Sequence, residues 1–243
     1  MVGRLLFCFP LFLLATISQA ASVINLNIAP KSYPPFFIHD KNKDTGVFLE
    51  IVEEIVKHQG KQLNLMRIPR KRGNAWVANG SDNAVVRAIE WVPDAAEFSF
   101  SEPLLQFKSI LISPKSKPLE FDNLAQLKGK KLLTRLGFKY PQLQPFFDNK
   151  IITRIDVDEQ LKVFQLLKRG RADAAVMNEQ VALWLIKKHQ LKGQFNLSQS
   201  SFGVFDIRVM FNKANSVNLA GFNQSLDTIK SKGVIEQILR KYQ

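Results

Sequence analysis

Val23-Ile-Asn-Leu-Asn-Ile-Ala29, then Gly46-Val-Phe-Leu-Glu-Ile-Val-Glu-Glu-Ile-Val-Lys-His-Gln-Gly60, then Leu63-Asn-Leu-Met-Arg-Ile68 decide the fold class. The first stretch alternates apolar and polar side chains, the period of a strand. In the second, Phe48, Ile51, Val52, Ile55 and Val56 fall on one face at helical spacing, and Gly60 stands where a C-terminal cap belongs. The third is a second strand. Strand, helix, strand is the signature of a parallel α/β layer. Between the first strand and the helix, Lys31 to Phe37 carries Pro34 and Pro35 and is a loop, because proline forbids regular structure there.

Downstream the alternation continues. Short helices are predicted over Lys71–Asn79 and from a cap at Asp122 to Gly129, and longer ones over Phe138–Phe147, Asp158–Lys168 and Gln180–His189. Asp156 and Glu159 read as a capping box for the Asp158 helix. Strands are predicted over Asn83–Val86, Phe107–Ser113, Lys131–Thr134, Ala172–Met177 and Phe205–Phe211. Helices over about Val217–Lys230 and Val234–Tyr242 end the chain. Two α/β blocks, roughly 22–110 and 114–200, are followed by a strand and two helices that need a partner sheet. The first block supplies it. The chain then crosses between lobes twice, near Ile110–Ser113 and near Phe202–Asp206. The expected division is lobe 1 at 21–110 plus 205–243 and lobe 2 at 111–204, with a ligand cleft between them that closes by hinge motion.

Upstream, Arg4 precedes the apolar run Leu5 to Ala15, and Ser18-Gln19-Ala20 puts small residues at the cleavage-reading positions. A basic start, a short apolar core and a small-x-small end make a secretory signal peptide over 1–20. The alternative is a short membrane anchor, although the run is short of the roughly 20 apolar residues that span a bilayer. The single cysteine, Cys8, leaves with the signal, so the exported chain has no disulfide and relies on its core. The formal charge is +13. Export and the even spread of Lys and Arg argue against a nucleic-acid partner. A basic surface, or a pocket for anionic ligands, fits the charge.

Five ordered segments resemble the bacterial extracellular solute-binding proteins of family 3, the type II periplasmic binding proteins. Tyr33-Pro34-Pro35-Phe36-Phe37 followed by Gly46-Val47-Phe48-Leu49-Glu50-Ile51 is similar to the family's aromatic loop and first helix. Phe98-Ser99-Phe100-Ser101-Glu102-Pro103 is similar to its F-S-x-P segment. Leu127-Lys128-Gly129-Lys130-Lys131 with Gly137, then Leu166-Leu167-Lys168-Arg169-Gly170-Arg171-Ala172-Asp173-Ala174, and finally Gly233-Val234-Ile235-Glu236-Gln237-Ile238, complete the set. The resemblance implies an α/β, two-lobed periplasmic fold. It implies capture of a small polar solute, an amino acid or related organic acid, for transporter-mediated uptake. The implied partner is an inner-membrane ABC permease or, alternatively, a sensor; a monomer is the default. A few relatives are enzymes, and a dehydratase of cyclic acids would need Glu90, Asp94 or Glu179 in the cleft.

In the family the loop after the first strand lines the cleft, so Tyr33 and Phe36 are expected to meet ligand, unless the rings are core. A guanidinium just before the F-S-x-P segment grips the ligand carboxylate in amino-acid binders. Here that position is Asp94, and Arg87 and Arg72 are the substitutes, each an anchor or a surface cation. Trp91 lines the cleft mouth or packs beneath it. Arg135-Leu136-Gly137-Phe138-Lys139-Tyr140 follows a strand and opens a helix, where free N–H groups favour an anion; Arg135 and Phe138 are therefore candidates. Amino-acid binders pair the ligand ammonium with an Asp after the G-R-x-D-A strand. This chain has Asn178, which makes an anionic or neutral polar solute plausible. His39, His58 and His189 read as surface residues without metal spacing. No catalytic residue, metal or cofactor is expected.

Overall fold

The computed structural model describes residues 23–80, 83–213 and 219–243. The expected signal sequence and the start of the penultimate helix lie outside them. Alternation in Val23–Ile28 makes β1, and its core-facing Ile24, Leu26 and Ile28 are buried. β1 pairs in parallel with β2 (Gln62–Arg67) and with β3 (Asn83–Arg87), in the register Leu26↔Leu65 and Leu26↔Ala84. The crossover between β1 and β2 is α1 (Val47–His58), which buries Val47, Phe48, Leu49, Ile51, Val52, Ile55 and Val56. Burying each such side chain is worth about 1.5–3 kcal/mol. The apolar spacing alone therefore holds α1 onto the sheet. α2 (Arg70–Ala78) follows β2.

The described strands form one sheet in the order β2, β1, β3, β9 (Phe195–Asn212), β5 (Leu105–Pro114), β8 (Ala174–Asn178), β6 (Lys131–Arg135) and β7 (Thr153–Val157), with β4 (Phe98–Phe100) paired to β9 off this path. Its two middle members are the long strands, β5 (Leu105–Pro114) and β9 (Phe195–Asn212). They run antiparallel to one another, from Leu105↔Ile207 to Pro114↔Phe195, with register shifts between Lys108 and Ile110 and again between Ile110 and Ile112. The C-terminal part of β9 also pairs with β3, at Arg87↔Arg208. The later part of β5 pairs with β8 (Ala174–Asn178), at Ser109↔Asn178. β8 is parallel to β6 (Lys131–Arg135), and β6 to β7 (Thr153–Val157). All five residues of β8 are buried, as expected for a strand covered on both faces. The sheet thus has two α/β halves stitched by β5 and β9.

α4 (Gln160–Lys168) and α5 (Glu179–Lys188) cover the second half. α6 (Leu219–Ser231) and α7 (Val234–Lys241) return to pack against α1 in the first. Several sequence expectations are corrected. The helix expected over Phe138–Phe147 is a turn followed by α3, only Gln144–Asp148. Gly137 at φ 77 and Pro141 interrupt the run, and the helix starts where Pro145 fits its first turn. Asp156 and Glu159 form no capping box: Glu159 caps α4 without a side-chain hydrogen bond. Asp156 instead accepts from the Thr134 hydroxyl at 2.7 Å and from Arg154 Nε at 3.0 Å. The cap of the 3₁₀ turn Leu124–Leu127 is Asn123, not Asp122.

Candidate functional site

Two adjoining cavities lie where the halves meet, enclosing about 580 and 710 Å³ including their open mouths. Both are lined by Tyr33, Trp91, Phe107, Arg135 and Phe138. The wall between them is aromatic. Tyr33, from the loop after β1, meets Phe138, from the turn after β6, edge to face at 5.5 Å between ring centroids. The Arg135 guanidinium lies 4.7 Å from the Tyr33 centroid and 5.2 Å from that of Phe138. Below them Trp91 packs 6.2 Å from Phe107 and 5.5 Å from Phe205.

The turn that follows Arg135 is pinned by its own chemistry. The Arg135 N–H donates to Tyr140 Oη at 2.9 Å, and Arg154 Nη2 donates to the Phe138 carbonyl at 3.0 Å. Burial pushes the Tyr140 hydroxyl up to about 12. Burial also holds the Arg135 guanidinium below its ordinary value, because the low-dielectric surroundings penalise the charged form. Among the described residues no carboxylate stands within ion-pair distance of that guanidinium. Asp158, which shares an outer depression with Arg135, pairs with Lys31 at 3.5 Å instead.

The structure brings Tyr33, Arg87, Trp91, Arg135, Phe138 and Asn178 to these cavities. Arg87 is buried, its guanidinium donating to the Val86 carbonyl at 2.8 Å and to Asn74 Oδ1 at 2.7 Å. Asn178 lines the second-half cavity while capping α5, its Oδ1 accepting from Val181 N at 3.1 Å. Two candidates stand elsewhere. Phe36 is 1% exposed and sits 4.8 Å from Phe48 and 4.4 Å from Phe107, so it is core. Arg72 is exposed on α2 and lines neither cavity; Gly73 is the residue of that helix that does. The anion site expected at a helix start after Arg135 is also corrected, because that segment is a turn. What that segment offers an anion is the Arg135 side chain.

Asn27, Ser109, Tyr140, Gln142, Met177 and Phe205 line the cavities without having been read from the sequence. Asn27 alternates with Leu26 and Ile28 on β1, so its buried side chain reads as an outward polar position. Phe205 was placed on a strand, and only the pairing of β5 with β9 brings it beneath the cleft. Glu90 and Asp94 are exposed, and Glu179 pairs with Lys108 at 3.2 Å. His39 is not a surface residue: Nε2 lies 2.6 Å from the Ala29 carbonyl and Nδ1 3.2 Å from Asp44, whose carboxylate also binds Arg67. That network ties down the loop bearing Tyr33.

Residues 26–243 match the family model of bacterial extracellular solute-binding proteins, family 3. The chain belongs to this family. It is a solute-binding protein with the α/β, two-lobed type II fold. It is 25% identical over 219 residues to the L-cystine-binding protein TcyJ of Escherichia coli strain K12, covering 87% of this chain and 79% of that protein. It superposes on an ancestral arginine-binding protein bound to arginine with a TM-score of 0.73 and 23% identity, covering 91% of this chain and 98% of that one. The GluR0 ligand-binding core in complex with L-glutamate gives a TM-score of 0.74 at 15% identity, covering 93% and 99%. At these identities the solved structures show the fold alone.

Proposed function

We propose that this solute-binding protein is exported to the periplasm, closes its lobes over one small carboxylate-bearing solute, and delivers it unchanged to an inner-membrane ABC permease. The lobes are 21–110 plus 205–243 and 111–204, and the segment 1–20 is the signal removed on export. The observation that carries the reading is Arg135. A half-buried guanidinium, stacked on Tyr33 and Phe138 at the junction of two cavities, has no acidic partner among the described residues. A desolvated cation of this kind is stabilised by an anion that arrives with two oxygens in the guanidinium plane. The name of the L-cystine-binding relative points the same way, since cystine carries carboxylates.

Tyr33 and Phe138 come from opposite lobes, so a solute seated against Arg135 touches both lobes and favours the closed state. Thermal unfolding against a library of amino acids, organic acids and sugars tests the proposal. A carboxylate solute at a hundredfold excess over its dissociation constant stabilises the native state by about 2.7 kcal/mol. If only neutral sugars, or no compound in the library, raised the unfolding temperature, the reading would be wrong.

A further inference from the structure

Resting on that reading, we infer that the cleft selects an acid that lacks an α-ammonium group, a carboxylate on an aromatic or apolar body, over the corresponding zwitterionic amino acid. The charges around the two cavities are one-sided. Arg135 and Lys139 line the second-lobe cavity, Arg135 and Arg87 line the other, and among the described residues neither cavity is lined by an Asp or a Glu. An ammonium taken from water needs an anion or a full set of acceptors. The Arg135 guanidinium already occupies one face of Tyr33 and of Phe138, so an ammonium drawn to these rings by cation–π attraction would meet a like charge beside it. Asn178, buried in the wall of the second-lobe cavity, is neutral and commits its Oδ1 to the α5 cap.

What the cavities offer instead suits an anion with an uncharged body. Trp91 Nε1 is a buried N–H donor without a partner, on a ring that lines both cavities. A carboxylate bound to Arg135 supplies an acceptor to that region. Phe48, Phe107, Phe205 and Ile207 give apolar walls. In the first-lobe cavity Asn27, 4% exposed, has an amide oxygen without a partner. A neutral acceptor there takes a hydroxyl or N–H at the far end of the solute without calling for a charge.

Calorimetric titration of the purified protein with matched pairs tests this: phenylpropionate against L-phenylalanine, hydroxyphenylpropionate against L-tyrosine, and glutarate against L-glutamate. The expected result is that in the pair that binds, the amine-free acid binds at least tenfold tighter. An amino acid that binds as tightly as its amine-free partner overturns the inference and leaves the binding reading standing. If neither member of any pair binds, the inference is overturned; the thermal library then decides separately whether a solute-binding cleft exists. Asn178→Asp keeps a capping oxygen for α5 and adds a carboxylate at the cavity. It should shift the ratio at least tenfold toward the amino acid, and a ratio that stays put also overturns the charge argument.

Discussion

Gly46 opens α1 at φ 127, and a Cβ built there would come within 2.5 Å of the Phe36 carbonyl oxygen. Its N–H donates to Tyr242 Oη at 2.9 Å, and that hydroxyl also binds Glu50, so a shift at Gly46 disturbs the loop, α1 and the C-terminal helix together. Gly46→Ala should cost more than about 1 kcal/mol in chemical denaturation. Tyr33 and Phe36, three residues apart on that loop, separate by function. Phe36→Ala empties a packed site and should lose about 3–5 kcal/mol of stability. Tyr33→Ala removes a half-buried ring at the cavity and should lose solute affinity while unfolding close to the parent. Arg135→Ala should weaken binding by about 1.5–3 kcal/mol, the worth of a charged hydrogen bond. Arg135→Lys should restore little of it, because an ammonium lacks the planar fork and the stacking surface. Titration calorimetry reads both Arg135 variants. At this scale the sequence pointed to Arg135 and Phe138 through their place after a strand. It could not separate Phe36 from Tyr33, or Arg87 from Arg72, because which side of a loop or short helix faces the cleft depends on packing partners far away in the chain.

The segment between β6 and α3 shows how a turn replaces an expected helix at the edge of the cavities. The expected helix would have presented backbone N–H groups; here the Arg135 side chain stands at the end of β6, and the backbone after it is held by Tyr140 Oη and by Arg154. Tyr140 ties the turn to pH. Burial raises its hydroxyl from 10.0 to about 12, and Tyr242 is likewise raised to about 12 by burial and by Glu50. The folded state therefore favours the neutral phenols. Their contribution is fully present below pH 10 and is lost as the pH rises from about 10 to 12. Denaturant midpoints measured across that range should fall, and Tyr140→Phe should flatten the decline while losing the bond from Arg135 N–H at neutral pH. Elements with a long apolar period, such as α1 and α5, were legible because burial of one face determines them. β4, three residues long, and β7, Thr-Arg-Ile-Asp-Val, were not. Their pairing to β9 and β6 is nonlocal, and Asp156 serves a cross-strand bond rather than a local cap.

At the scale of the molecule, the two halves are joined along β5 and β9, whose pairing shifts register between Lys108 and Ile112. Gly203, φ 107, lies on β9 beside the crossing, and a Cβ there would come within 2.8 Å of Gln142 Nε2 on the cleft turn. The broad plan of two α/β blocks with a returning strand and helices was readable from the alternation of elements. The length of β9 was not, because Phe195 to Gly203 lacks a simple alternation and is fixed by its partners. A solute held between the lobes against Arg135 would occupy cavities that Trp91 also lines. The chain has three tryptophans, Trp76, Trp91 and Trp184. Replacing Trp76 and Trp184 by Phe leaves Trp91 as the sole reporter. A solute that raises the unfolding temperature of this variant should shift Trp91 emission and protect it from acrylamide quenching, with one dissociation constant for both. The same solute raising the unfolding temperature while Trp91 emission and quenching stay unchanged would place it outside the cleft and contradict the account.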